Sequence, residues 1–309
     1  MQMDGDESSN IEDRRGEGFG GGGGFGGGGI PIPVGGGGLF KGGLGVVAFI
    51  VIALIFGADP LALLSGLGGG GAPSSSYAPS SQVSRPARAP GQAADPETQF
   101  VSRVLKSTED VWSGLFADMG RRYVDPKLVL YRDATRTDCG VGQSAMGPFY
   151  CPADQRVYLD LSFFDDLAQR FHSPGQFPQA YVVAHEVGHH VQNLLGITAK
   201  VEQMRERMSK RDANALSVRL ELQADCFAGV WANRADAQRG GRMIDDNDVE
   251  QALAAASAIG DDRLQRQAQG RVVPDSFTHG SSAQRMRWFR IGLESGDPRK
   301  CDTFRAQKL

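Results

Sequence analysis

Glycine divides this chain into a part that cannot bury a core and a part that can. Of 42 glycines in 309 residues, 25 fall within the first 71 and the other 17 are spread over the rest. Residues 1–41 join a mixed-charge, acid-leaning leader (DGDESSNIEDRRGEG) to a glycine tract broken only by Phe19, Phe25 and the IPIPV at 30–34. Such a segment has too little apolar surface to offset the entropy of ordering it, so residues 1–41 are expected to form a disordered arm. Roughly 200 residues remain, enough for one substantial core. A formal charge of -3 argues against non-specific nucleic-acid binding, and four cysteines are too few for a cysteine-dense miniprotein.

The segment from Gly42 to Ala58 is 17 residues long and carries no charge. As a helix it spans about 25 Å, just enough for a bilayer. It is apolar all round and flanked by glycine tracts, which disfavours a core helix, and it starts too far behind an acidic leader for a cleaved signal. Residues 42–64 are therefore expected to be a single transmembrane anchor, with LALLSGL in the far interface. Lys41 adjoins the run, Arg14 and Arg15 lie further back, and the other flank has no Lys or Arg until Arg85. That bias predicts a cytoplasmic amino terminus and a body on the periplasmic or outer side of the cell membrane. Residues 65–97, rich in Gly, Ser, Pro and Ala, read as a flexible tether.

From about residue 98 the pattern changes. FVSRVLKSTEDVWSGLFADM has helical periodicity, LVLYRDA at 128–134 and QRVYLDL at 155–161 look like strands, and Cys139 to Cys151 reads as a loop or edge strand. Helical patterns then cover about 161–171, 177–195, 200–235, 246–269 and 281–294. The expected fold class for 98–309 is α+β, a small sheet followed by helices.

Three of the five histidines sit in AHEVGHH, at His185, His189 and His190. On a helix, positions i and i+4 share a face, so His185 and His189 can present imidazoles to one metal ion while Glu186 projects toward the same cavity. Reading on, Gln192 and Leu195 exclude the continuation that requires glycine and a third histidine. ELQADCFAG offers a carboxylate instead: Glu221 as third ligand, with Asp225 four residues later on the same face. The Gly196 turn lets the two helices pack antiparallel, and Ala224 and Ala228 keep the approach close. Two histidines and a glutamate with one open position form the ligand set of a catalytic Zn2+, in which Glu186 acts as general base. Asp225 is read as accepting the outer N–H of a ligand histidine, and His190, about 100° round the helix, as a packing or polar contact.

HEVGHH followed by ELQADCFAG, with GPFYCPAD upstream and FTHGSSAQRMRWF downstream, resembles the bacterial neutral zinc metallopeptidases, single-pass membrane proteins with a zincin-like domain. More distantly, E-x-x-A-D followed by a histidine six residues before an arginine (His279, Arg285) is similar to the membrane-bound gluzincin endopeptidases. The resemblance implies that Glu221 binds zinc, that Asp225 supports the site, and that His279 is an oxyanion or substrate contact, although Gly280 stands where proline usually follows. It also implies an edge strand aligning an extended peptide above the metal, for which Gly140 to Tyr150 is the candidate. Arg285 is expected to pair structurally.

A Cys139–Cys151 bridge would close a short loop near the cleft and a Cys226–Cys301 bridge would tie the tail to the ligand helix, in keeping with an oxidising compartment. Four cysteines allow three connectivities, and free thiols or a second zinc site are the competing readings. The overall expectation is a membrane-anchored zinc metalloendopeptidase acting on a peptide or protein substrate. Its competitor is a catalytically silent zinc-containing scaffold of the cell envelope.

Overall fold

The computed structural model describes residues 1, 3–17, 95–169, 173, 175–241 and 243–309. The expected anchor at 42–64 and nearly all of the tether at 65–97 lie outside these residues. Among the described residues no helix is long and apolar enough to cross a membrane.

The α+β organisation is present, with small sheets and eight helices among the described residues. Strand β1 (Ile11–Asp13) is followed by helix α1 (Pro96–Asp118), strand β2 (Lys127–Tyr131) and a hairpin of β3 (Ala134–Thr137) and β4 (Gly140–Gln143). Strands β5 (Phe149–Cys151) and β6 (Arg156–Asp160) complete the sheets. The helices α2 (Ser162–Gln169), α3 (Gln176–Leu194), α4 (Ile197–Arg205), α5 (Lys210–Gln238), α6 (Asp246–Ala258), α7 (Asp261–Gln269) and α8 (Ser282–Ser295) follow.

The main sheet has the order β1-β2-β6-β5, in which β1, β2 and β6 are parallel and β5 runs antiparallel at the edge. Parallel strands are buried on both faces, and KLVLY and RVYLD read accordingly. Leu128, Leu130, Val157 and Leu159 turn to the helical core, whereas Val129, Tyr131, Tyr158 and Cys151 form a second apolar cluster on the other face. The β3–β4 hairpin lies over Phe149: a side chain at Gly142 would meet that ring at 2.5 Å, so only glycine permits the approach. The peptide-aligning segment expected at Gly140 to Tyr150 is therefore split. Residues 140–143 belong to the hairpin sheet, the chain turns at Gly147 (φ 71°), and only β5 borders the main sheet.

A second departure concerns the amino terminus. Residues 3–17, expected within the disordered arm, lie against the body: β1 pairs with β2 in the register Ile11 to Leu128. The entropy argument weighed only the arm's own apolar surface. Here the ordering is offset by an existing sheet edge and by Glu109 on α1, which accepts from Ser8 Oγ at 2.6 Å and Asn10 Nδ2 at 2.9 Å.

Helix boundaries follow local chemistry. Asp95 caps α1 through the Thr98 amide ahead of Pro96, and Gly196 (φ 73°) ends α3 in the left-handed conformation. The single helix expected at 200–235 breaks at Ser209, whose side chain caps α5 through Asp212 N. The helix expected at 246–269 breaks at Gly260, where a Cβ would stand 2.4 Å from the amide nitrogen of Ser282. The break at Gly260 sets the loop before α8 against α5, where Gly280 lies beside Leu222 and Val218. The two helices cross almost backbone to backbone: a Cβ on Gly229 would lie 2.1 Å from the Phe289 carbonyl oxygen, and one on Gly292 would lie 1.9 Å from that of Cys226.

Candidate metal centre

Helices α3 and α5 build the site. Gly188, between the two histidines of the motif, faces Ala224, whose backbone oxygen would be 3.0 Å from an added Cβ. This contact lets α5 approach closely enough for Glu221 to reach the imidazoles. His185, His189 and Glu221 each offer a ligand atom, all within 4.8 Å of one another, so the group could hold a metal ion. Nε2 of His185 lies 3.3 Å from one Glu221 oxygen and Nε2 of His189 lies 3.6 Å from the other.

The opposite nitrogen of each ring is already engaged. His185 Nδ1 donates to Asp225 Oδ1 at 2.8 Å, and His189 Nδ1 donates to Gln192 Oε1 at 2.9 Å. These acceptors hold a proton on Nδ1 and turn both Nε2 atoms toward the point they share with Glu221, where loss of the Nε2 proton gives a divalent cation the donor it requires. The side chains of His189 and Glu221 keep 17% and 19% of their surface exposed, against 8% for His185, so solvent reaches the cluster from the His189 side.

Asp225 is fully buried and saturated. Besides His185 it accepts from Tyr181 Oη at 2.5 Å and from Arg285 Nε and Nη2 at 2.9 and 2.8 Å. Burial by itself raises a carboxyl pKa, but the Arg285 and His185 charges prevail and bring Asp225 down to about 2. Burial lowers the His185 pKa, yet the Asp225 charge and hydrogen bonds from Asp225 and Glu221 raise it to about 10. Glu221 is held well below the usual carboxylate range because His189 and His185 outweigh its burial. Glu186, only 8% exposed, goes the other way: desolvation raises it against the histidine charges.

His279 sits in the loop before α8 and is not one of the three converging residues. Asp261 organises that loop, its Oδ2 accepting the backbone N–H groups of Thr278, His279 and Gly280 at 2.7, 2.7 and 3.0 Å. Its Oδ1 lies 3.3 Å from His279 Nδ1. Burial lowers the His279 pKa, but the Asp261 hydrogen bond and the charges of Glu221 and Asp261 raise it overall. Gly280 adopts φ 92° and donates its N–H to Asp261. Proline could do neither, which accounts for the departure from the related motif.

His190 turns away from the cluster. Its Nε2–H donates to the Val124 carbonyl at 2.6 Å, and Nδ1 accepts from Tyr150 Oη at 3.0 Å. Both expected cysteine pairs are bonded, Cys139 to Cys151 and Cys226 to Cys301. Sequence reasoning missed Gln192, noting it only as the residue that excludes another motif. It is buried, and its Nε2 donates to Leu220 O at 2.7 Å and to Gln223 Oε1 at 3.2 Å. Gln223 in turn donates to the Cys301 carbonyl at 2.9 Å, so the bridge to Cys226 backs the support of His189. Its position three residues beyond His189 on the same helix was the available signal. Asp261 was missed as well, and lies 18 residues from His279 without local signal.

The profile of the family described as "Putative neutral zinc metallopeptidase" matches residues 1–304. The chain belongs to this family. Among curated proteins, the uncharacterized protein YpfJ of Escherichia coli strain K12 is 50% identical over 298 residues, covering 96% of each chain. The uncharacterized protein Rv2575 of Mycobacterium tuberculosis strain H37Rv is 44% identical over 211 residues, covering 66% of this chain and 69% of its own. No solved structure matches.

Proposed function

We propose that this family member is a zinc metalloendopeptidase whose own glutamate moves the proton. The observation that carries the reading is the pairing of two Nδ1-anchored imidazoles with Glu221, beside a buried carboxyl on the same helix. His185, His189 and Glu221 would hold the ion. A zinc ion held there would supply a Lewis acid for the carbonyl and bring water toward a pKa near neutrality. Glu186, made more basic by desolvation, takes the proton from water and delivers it to the leaving amine. His279, oriented through Nδ1 by Asp261, offers its Nε2–H to the negative charge growing on the carbonyl oxygen. The exposed flank at His189 and Glu221 supports access by substrate and disfavours a silent scaffold.

The two disulfides support a body in an oxidising compartment outside the cytoplasm, and the apolar run at 42–58 supports attachment to the cell membrane. The test is zinc analysis together with cleavage of casein and a peptide library by the full chain. Glu186→Gln is expected to keep zinc and lose turnover by on the order of a thousand-fold, and Glu221→Ala to lose both. Full cleavage by Glu186→Gln would refute the mechanism.

A further inference from the structure

The expected single crossing places the amino terminus and the body on opposite sides of a membrane, yet residues 3–17 and 95–309 are built into one sheet and one set of hydrogen bonds. Leu128 N donates to Asn10 O at 2.9 Å, Arg14 N donates to Leu130 O at 2.7 Å, and Ser8 N donates to Ser102 O at 3.2 Å. Ser8 and Asn10 supply the two side-chain donors to Glu109, which is only 7% exposed, and Met3 is buried in the main core. Without this segment the Leu128 amide and the Leu130 carbonyl would face an open edge, and a buried carboxylate would lose those donors.

The two ends of segment 18–94 are also held together. Arg15 Nη1 lies 3.0 Å from Asp95 Oδ2, and Asp95 is the residue that caps α1. Arg14, the other leader cation, is engaged by Glu12 and by the Arg136 carbonyl. The two arginines that contributed to the orientation bias are thus paired within the fold.

We propose that residues 1–17 and 95–309 occupy the same side of the membrane, so that the chain leaves and re-enters the body at one place, beside the Arg15–Asp95 pair. On this arrangement the apolar run at 42–58 attaches the protein to lipid without separating the amino terminus from the body. Strand β1 is then a permanent part of the peptidase body, and a truncated body beginning near residue 98 lacks an element of its sheet. The proposal is independent of catalysis.

The experiment labels the full chain in intact bacterial spheroplasts with a membrane-impermeant maleimide. One cysteine is introduced at exposed Asp6 (D6C) or at exposed Arg122 (R122C). The four native cysteines are bridged. Labelling of both variants supports the proposal and an external body. Protection of both supports the proposal and refutes the external location instead. Labelling of one variant only overturns the proposal. Hydrogen exchange on the purified full chain is the second measurement: the Leu128 amide is expected to be slowed on the order of a hundred-fold or more, and exchange at the rate of an open edge overturns it as well.

Discussion

The buried pair behind His185 separates two quantities that a single substitution would confuse. Asp225 has no exposed surface and Arg285 only 3%, and the guanidinium meets the carboxylate through two nitrogens. Removing one partner leaves the other charged and buried, so Arg285→Met or Asp225→Asn should each destabilise the metal-free protein by about 3–5 kcal/mol. The double variant leaves no stranded charge and should recover most of that loss. Zinc affinity should sort differently, because Asp225 accepts from His185 Nδ1 at 2.8 Å whereas Arg285 Nη2 stands 3.5 Å from that nitrogen. Asp225→Asn and the double variant both weaken the basicity of His185 and should bind zinc about 10–100-fold less tightly, whereas Arg285→Met should lose less. Denaturant unfolding of the metal-free protein reads the first quantity, and chelator competition reads the second. The reasoning is refuted by an Arg285→Met cost below about 1 kcal/mol, or by a double variant that binds zinc as tightly as the parent.

Gln192→Leu removes the acceptor that orients His189 and should weaken zinc binding by about 10–100-fold, while Gln192→Glu keeps that acceptor but gives up the donors to Leu220 O and Gln223 Oε1, so it should retain more zinc affinity than Gln192→Leu in the same titration and unfold more easily than the parent. Gly292→Ala forces a methyl onto the Cys226 carbonyl across the α5–α8 crossing and should cost at least about 3 kcal/mol by thermal or denaturant unfolding. His190 supplies a pH signature. Burial, against the Val124 hydrogen bond, lowers its pKa to about 4 from the ordinary histidine value of 6.5. The neutral ring therefore contributes stability fully above pH 6.5, and this is lost as pH falls toward 4. The amount is about 3 kcal/mol, and the difference between parent and His190→Gln across that window measures it.

The chemistry of the ligand set was legible because a helix makes it local. Positions four apart share a face, so HEVGH and ELQAD each declare a pair of residues before any packing is known. The residues that hold the set in place were less legible. Gln192 carries no motif, and its role appears only once α5 brings Gln223 and the Cys301 carbonyl within reach. Asp261 and His279 come together only because Gly260 breaks a periodic stretch that reads as one helix. Periodicity reports which face is apolar, and it does not report where a neighbouring backbone requires the chain to stop.

By itself, then, the amino-acid order determined the α+β class and picked out His185, His189 and Glu221, the side chains that the fold brings together, with Glu186 beside them. Only the tertiary structure decided that the leader is a strand, since β1 has no apolar surface of its own sufficient to order it. What orders it is an unpaired edge of β2 and a buried Glu109, features of residues more than 80 positions away. Composition measures what a segment brings to folding, whereas the free energy of docking depends equally on what the rest of the molecule has left unsatisfied.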